Sequence, residues 1–422
     1  MSAFDKIIGY DTIKDELRQI CDMVKNPALY KRLGAKLPRG VLLYGEPGLG
    51  KSLMVQCLVE ECGINCITVR KNVGGDGFLD VIEQAFEQAK ETAPCIVFFD
   101  DMDKFANEDR LHPDTEEYVA IQAGIDSVNG HEVYVFATVN DREKLPDSLC
   151  RPGRFDRKIE VEVPTEADAR EIIKYYLSDK KLAAGVDMTD VEKMIRYSSC
   201  AELETILNEA AIHAGYERKP EIELSDLVQA VLRMQYDAPD DYSNVSEDEL
   251  RRTAYHEAGH AVVCECLAAG SVGLASIRST GRSDAGGFIH RCVDLNRRQD
   301  VMVSLGGKAA VELHYSETCA NGCQSDIARA VRMIRGGIRE SGTHGLGMIA
   351  VNPRGDSESY EERLEPVIKA ELEQAMFRTR NILIKNRALL ERMAEELIAK
   401  ETLLHSDICR ICEEAGIVRV TP

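Results

Sequence analysis

Gly45-Glu-Pro-Gly-Leu-Gly-Lys51-Ser52 lies between the apolar run Val41-Leu-Leu-Tyr44 and the helical pattern Leu53-Met-Val-Gln-Cys-Leu58, and it decides how this chain is read. A glycine-rich loop between a strand and a helix lets backbone N–H groups wrap phosphate oxygens at the positive end of the helix. Lys51 brings a positive charge to the outer phosphates, and the Ser52 hydroxyl can ligate Mg²⁺. Gly45, Glu46, Pro47, Gly48, Leu49, Gly50, Lys51 and Ser52 therefore read as a P-loop, the cradle of an ATP phosphate chain. A plain glycine-rich turn before a helix is outweighed by the full eight-residue match in its strand–loop–helix setting.

Outward from the loop, Ile96-Val-Phe-Phe-Asp100-Asp101 is an apolar strand that ends in carboxylates. Asp100 is placed to hold Mg²⁺ through water, and Asp101 to polarise an attacking water. Gly40-Val-Leu-Leu-Tyr44, Cys95-Ile-Val-Phe-Phe99 and Val133-Tyr-Val-Phe-Ala137 alternate with helical segments over residues 1–163. Continuous apolar strands of this kind belong to a parallel sheet covered by helices on both faces. Residues 164–236 carry a helical pattern, and the polar, Pro-containing stretch over 237–247 reads as a linker. From 248 to 422 the pattern is again mainly helical, broken at about 272–291 by a strand-like stretch rich in Gly and Ser.

The third block holds a second chemical motif, Tyr255-His256-Glu257-Ala-Gly-His260, on a helical segment. A spacing of four puts both imidazoles on one helix face, where both can bind one Zn²⁺. Glu257 is placed to take a proton from water activated at that metal. A third ligand is required, and spacing alone does not choose among Glu312, His314, Glu317 and Asp326. Gly286-Gly-Phe-Ile-His290 reads as a short exposed strand, either plainly structural or an edge on which a substrate backbone pairs.

Composition sets the outer bounds. A chain of 422 residues calls for two or three domains, and 44% hydrophobic content supports packed cores. A net charge of −20, from 72 acidic against 52 basic residues with no long Lys/Arg cluster, argues against nucleic acid as a partner. The 14 cysteines are scattered; Cys409 and Cys412 alone have CxxC spacing and read as a helical coincidence, and unpaired thiols suggest a reducing compartment. No secretory signal is visible, and no apolar stretch approaches the ~20 residues needed to span a bilayer. The expectation is a soluble, cytoplasmic chain, or one trimmed of an anchor.

These motifs together resemble a known family. Asn140, at the end of a third strand, looks like the sensor 1 residue of AAA+ ATPases, and Arg151-Pro-Gly-Arg154-Phe-Asp-Arg157 looks like their second region of homology. In that family the two arginines, here Arg154 and Arg157, reach into the neighbouring subunit's ATP site, which implies a ring. From Ile7-Ile-Gly-Tyr-Asp11 to the C-terminal helices the chain resembles the FtsH-type AAA+ zinc proteases. Arg252-Thr-Ala-Tyr-His-Glu-Ala-Gly-His-Ala261, Leu305-Gly-Gly-Lys-Ala-Ala310 and Gln324-Ser-Asp326-Ile-Ala-Arg-Ala330 carry the likeness. The resemblance implies an α/β P-loop AAA+ domain with a parallel sheet between helices and a helical lid, followed by a mainly α zincin-type peptidase domain. It implies Asp326 as the third ligand, Zn²⁺, ATP and Mg²⁺ as cofactors, polypeptide substrates and a homo-hexamer.

Three departures stand out. Family members usually carry transmembrane helices. They have Glu where Asp101 stands, so the carboxylate here is withdrawn by about 1.5 Å. Their pore loop shows an aromatic, an apolar residue and Gly, whereas this chain has Lys71-Asn-Val-Gly-Gly-Asp-Gly-Phe78, which leaves Phe78 or Val73 as the gripping side chain, or a weak grip. The rival expectation is an unfoldase or remodelling machine with weak or ATP-independent proteolysis.

Overall fold

Five parallel strands form the first sheet: β1 (Gly40–Tyr44), β2 (Asn65–Val69), β3 (Cys95–Phe99), β4 (Val133–Val139) and β5 (Phe155–Glu160), in the order β2-β3-β4-β1-β5. β3 and β4 are buried along their whole length, and Val41, Leu42 and Leu43 of β1 are buried too. That explains the unbroken apolar runs, since both faces of a parallel sheet are covered by helices. The edge strands look different. β2 buries only Val69, and β5 alternates buried Phe155 and Ile159 with charged residues. The register pairs Tyr44 of β1 with Val139 of β4, so the loop after β1 emerges beside Asn140. Ligands of open parallel sheets bind at the carboxyl ends of the strands, and this is the end where Gly45, Asp100 and Asn140 follow.

The computed structural model describes residues 2–71, 77–105, 116–238, 246–278, 286–316, 322–342 and 358–419. They divide into two compact units, Met1–Asp179 with Tyr197–Thr205, and Lys180–Arg196 with Ile206–Pro422. Residues 164–236, expected as a lid, contribute to both units. Most of the expected linker lies outside the described residues, as does Val73. Phe78 corrects an expectation. It opens the helix Gly77–Glu91, is 1% exposed, and meets Phe105 edge-on with ring centroids 4.9 Å apart. An aromatic so placed is a core residue and grips nothing.

The second unit is built on the helix Glu247–Leu267. Its start is fixed by a capping box, in which Ser246 Oγ accepts the Glu249 N–H and the Glu249 carboxylate accepts the Ser246 N–H. This helix is packed against the helices Gly306–Tyr315 and Arg387–Lys400. Beside it lies a three-stranded antiparallel sheet of β6 (Val272–Ser276), β7 (Phe288–Arg291) and β8 (Thr402–Leu404), in the order β7-β6-β8. The expected interruption at 272–291 is thus two strands. The third strand is supplied from some 110 residues further on. No helix among the described residues is long and apolar enough to cross a membrane.

Candidate active site: phosphate loop and metal centre

In the first unit, the helix Lys51–Cys62 starts from Gly50, whose φ of 84° no branched residue adopts at ease. The Lys51 ammonium, 5% exposed, donates to the carbonyls of Gly45 (2.7 Å) and Glu46 (2.6 Å) and to Asn140 Oδ1 (2.9 Å). Burial pulls it below the ordinary lysine pKa, against the attraction of Asp101, Asp103 and Asp100. Ser52 Oγ donates to Asp100 Oδ1 at 2.6 Å, and the buried Thr138 hydroxyl donates to the same oxygen at 2.8 Å. Burial opposes ionisation of Asp100, but these hydroxyls and Arg70 hold its carboxyl below the usual range. A cleft of about 490 Å³ opens beside Gly48, Leu49 and Gly50 and is walled by Tyr10, Tyr175, Tyr176 and Cys200. Hydroxyl, carboxylate and ammonium thus meet at the mouth of a loop of backbone donors, a donor set that fits a nucleotide with Mg²⁺.

Asp101 and the two arginines stand apart from this convergence. Asp101 has a left-handed backbone (φ 54°), its N–H donates to Thr138 Oγ1, and its carboxylate accepts Lys104 Nζ at 2.6 Å. Arg154 donates to Gln122 Oε1, Ser148 O and Asp126 Oδ2 at 2.7, 2.8 and 3.1 Å. Arg157 donates to Gln19 Oε1 at 2.8 Å, with Glu16 at 3.6 Å.

In the second unit, three side chains converge from two helices. His256 Nε2 and His260 Nε2 lie 3.0 Å apart, and Asp326 Oδ2, from the helix Gln324–Ser341, lies 3.1 Å from the first and 3.3 Å from the second. Tetrahedral zinc with N and O ligands at about 2.0–2.1 Å puts neighbouring donor atoms roughly 3.3 Å apart, so the set fits this metal as it stands. His260 Nδ1 is 2.6 Å from the Val303 carbonyl. A carbonyl only accepts, so Nδ1 carries the hydrogen and the lone pair of the neutral ring is on Nε2, facing the cluster. Burial disfavours charge on His260, yet Asp326 and Glu257 push its pKa up to about 9. Burial likewise opposes the charge on Asp326, but hydrogen bonds with His256 and His260 hold it well below the carboxylate range. The pocket therefore favours a positive charge among these three groups, which a dication supplies.

The other candidates for third ligand are engaged elsewhere. Glu312 is held by Lys308 at 2.8 Å and by Arg380, and His314 stacks on Tyr255 at 3.6 Å. Glu317 lies outside the described residues. Removing the carboxylate should empty the site. Asp326→Ala is expected to lower bound zinc from close to one per chain to a small fraction of that, read by atomic absorption on dialysed protein. Normal zinc in this variant would remove Asp326 from the ligand set.

Glu257 lies beside the cluster and is 4% exposed; burial raises its carboxyl pKa, against the imidazoles of His256 and His260. Its surroundings explain the small residues of the motifs. A Cβ at Gly259 would meet Gly306 O at 2.4 Å, and one at Gly307 would meet the His256 ring at 2.5 Å. A Cβ at Gly287 would meet Glu257 Cγ at 2.7 Å. Gly307→Ala should therefore turn the His256 ring and weaken zinc binding by about 10–100-fold while leaving the circular dichroism spectrum unchanged. Undiminished zinc affinity would show that the ring has room. A cavity of about 620 Å³ surrounds the cluster, and Gly287, Phe288 and Ile289 of the edge strand region line it.

Three contributors belong to no motif: Thr138, Arg70 and the Val303 carbonyl; Gly307 lies in one, but its place behind the His256 ring has no local signal. Thr138 alone had a usable signal, being a polar residue in an otherwise apolar buried strand, two residues before Asn140.

Residues 41–163 match the family model described as ATPase family associated with various cellular activities, and residues 243–411 match that of peptidase family M41. The chain is 31% identical over 436 residues to an ATP-dependent zinc metalloprotease FtsH of Leptotrichia buccalis, covering 97% of this chain and 56% of that protein. It is 31% identical over 450 residues to the FtsH 3 metalloprotease of Symbiobacterium thermophilum, covering 98% of this chain and 71% of the relative. For the FtsH metalloprotease of Thermus thermophilus the values are 30% over 448 residues, with 97% and 70% covered. The chain thus spans from 56% to 71% of the length of these relatives. With an AAA region and an M41 region in one chain, and such likeness along nearly all of it, the chain belongs to the FtsH family.

Proposed function

We propose that the chain is an ATP-dependent zinc metalloendopeptidase that unfolds, translocates and degrades proteins as a homo-hexameric ring. The observation that carries this reading is the fit of His256, His260 and Asp326 to tetrahedral zinc, with Glu257 beside them, in a chain that also has a complete P-loop. Membership of the family brings Zn²⁺, and ATP with Mg²⁺, as cofactors. The proposed division is 1–163 for nucleotide binding, 164–236 for the lid, 237–247 for the linker and 248–422 for the peptidase.

His256, His260 and Asp326 would hold zinc, which when bound would supply the Lewis acidity that makes water nucleophilic at neutral pH. Glu257 takes the proton of the attacking water and later returns it to the leaving amine. The edge strand β7 holds the substrate main chain extended across the cavity. In the motor, Lys51 and the loop amides bind the phosphates, Ser52 and Asp100 meet Mg²⁺, Asn140 positions Lys51, and Asp101 orients water. Arg154 and Arg157 act on the neighbouring subunit's nucleotide.

The remodelling alternative is favoured by two observations: the Asp101 carboxylate is taken by Lys104, and Phe78 is in the core. One experiment separates the readings. Degradation of an unfolded protein and of a stably folded one is followed with ATP, without ATP and with a zinc chelator. The proposal expects loss of the folded protein only with ATP and arrest of both reactions by the chelator. Unfolding without cleavage, or cleavage indifferent to ATP, sinks it.

A further inference from the structure

Both oxygens of the Asp100 carboxylate are occupied by donors of the chain itself. Oδ1 accepts the hydroxyls of Ser52 and Thr138, as described above. Oδ2 accepts Arg70 Nε at 2.9 Å and lies 2.6 Å from Arg70 Nη2. Strand register sets this placement. β2 runs parallel to β3 with Val69 opposite Phe99, and the Asp100 N–H donates to the Val69 carbonyl at 3.1 Å. The next residue on each strand is Arg70 and Asp100, side by side where the sheet ends. Elsewhere in P-loop sites, the carboxylate at this strand end faces the Mg²⁺ that accompanies the nucleotide. Here a guanidinium already faces it. Asp100 is 7% exposed and the Arg70 side chain 53%, so the carboxylate is fixed while the guanidinium has solvent to swing into.

We propose that Arg70 competes with the divalent cation for Asp100. Mg²⁺ must displace the guanidinium to reach the carboxylate, which weakens its binding. Nucleotide without metal is held more firmly, because Arg70 then stays paired with Asp100 at the carboxyl end of the sheet, the end where the phosphate loop follows β1, and keeps its positive charge there. Arg70 is thus a positioning residue, acting through Asp100. The inference rests on the nucleotide site proposed above.

The test uses the full chain and reads binding, not turnover. Mn²⁺ binding is measured by loss of the free-ion electron paramagnetic resonance signal in the presence of a non-hydrolysable ATP analogue. Binding of a fluorescent ADP analogue is measured separately in EDTA. Arg70→Ala should bind Mn²⁺ about three- to tenfold more tightly and metal-free nucleotide more weakly by a similar factor, as expected for a half-exposed, charge-assisted pair. A merely structural arginine would move both affinities in the same direction. Arg70→Gln, which keeps the side-chain stem, should share both signs and guards against a poorly folded alanine variant. Mn²⁺ affinity unchanged or lowered in the two variants, with nucleotide still bound, overturns the role of Arg70 alone. Wild-type protein that binds neither nucleotide overturns the site itself and this inference with it.

Discussion

Glu257→Gln is expected to lower peptide-bond cleavage by about 10²–10⁴-fold while leaving zinc content and ATP hydrolysis unchanged. The substitution keeps the shape of the side chain and removes only its ability to take a proton. The geometry makes the expectation sharp. Glu257 sits one residue from His256 and three from His260, is almost fully buried, and has its carboxyl pKa raised by that burial against the pull of the neighbouring imidazoles. Raised basicity suits a group that must accept a proton near neutral pH. A fluorogenic peptide assay on zinc-replete protein checks the result. Retained cleavage would move the chemistry to another group in the cavity.

The second large effect belongs to the motor. Arg154→Ala and Arg157→Ala should each depress ATP hydrolysis in assembled protein by about 10³-fold, with nucleotide binding preserved. Both guanidiniums are held by acceptors of their own chain, Arg154 by Gln122, Ser148 and Asp126, and Arg157 by Gln19 and Glu16. A trans role requires them to exchange those partners for a neighbour's phosphates. A purely structural role would show differently, as lowered thermal stability with normal turnover per folded chain. Mixing each variant with a Lys51→Ala chain sharpens the test. Each defect then sits on a different subunit, and activity regained in the mixture marks a residue that acts across the interface.

Local features of the sequence were the legible ones. The phosphate loop and the two histidines each occupy one short segment, and their spacing is a property of a single helix or turn. The central strands were legible because burial on both faces leaves an unbroken apolar run. The edge strands β2 and β5 were not, since half-exposed strands carry polar residues. Asp326 lies 70 residues from His256, and only the family resemblance selected it over Glu312, His314 and Glu317. β8 is three residues long within a helical pattern, too short for any periodicity. Phe78 misled because an aromatic at the end of a glycine-rich stretch looks the same whether it faces a pore or a core. Arg70 was invisible for a different reason. Its partner is fixed by strand register, which no local pattern records.

The edge strand β7 has one further consequence. Among the described residues it pairs with β6 on one side only, and it starts beside Glu257. An edge of this kind recognises amide groups before it recognises side chains. Peptides that differ only in side-chain identity should be cut at comparable rates, whereas a proline or an N-methyl amide in the paired register should be refused. Strands already paired within a native sheet have spent the same amide groups on their neighbours. Under the proposed function, the peptidase is then blind to most folded proteins whatever their sequence, and the work of the motor would be to hand it main chain whose hydrogen bonds have been stripped away.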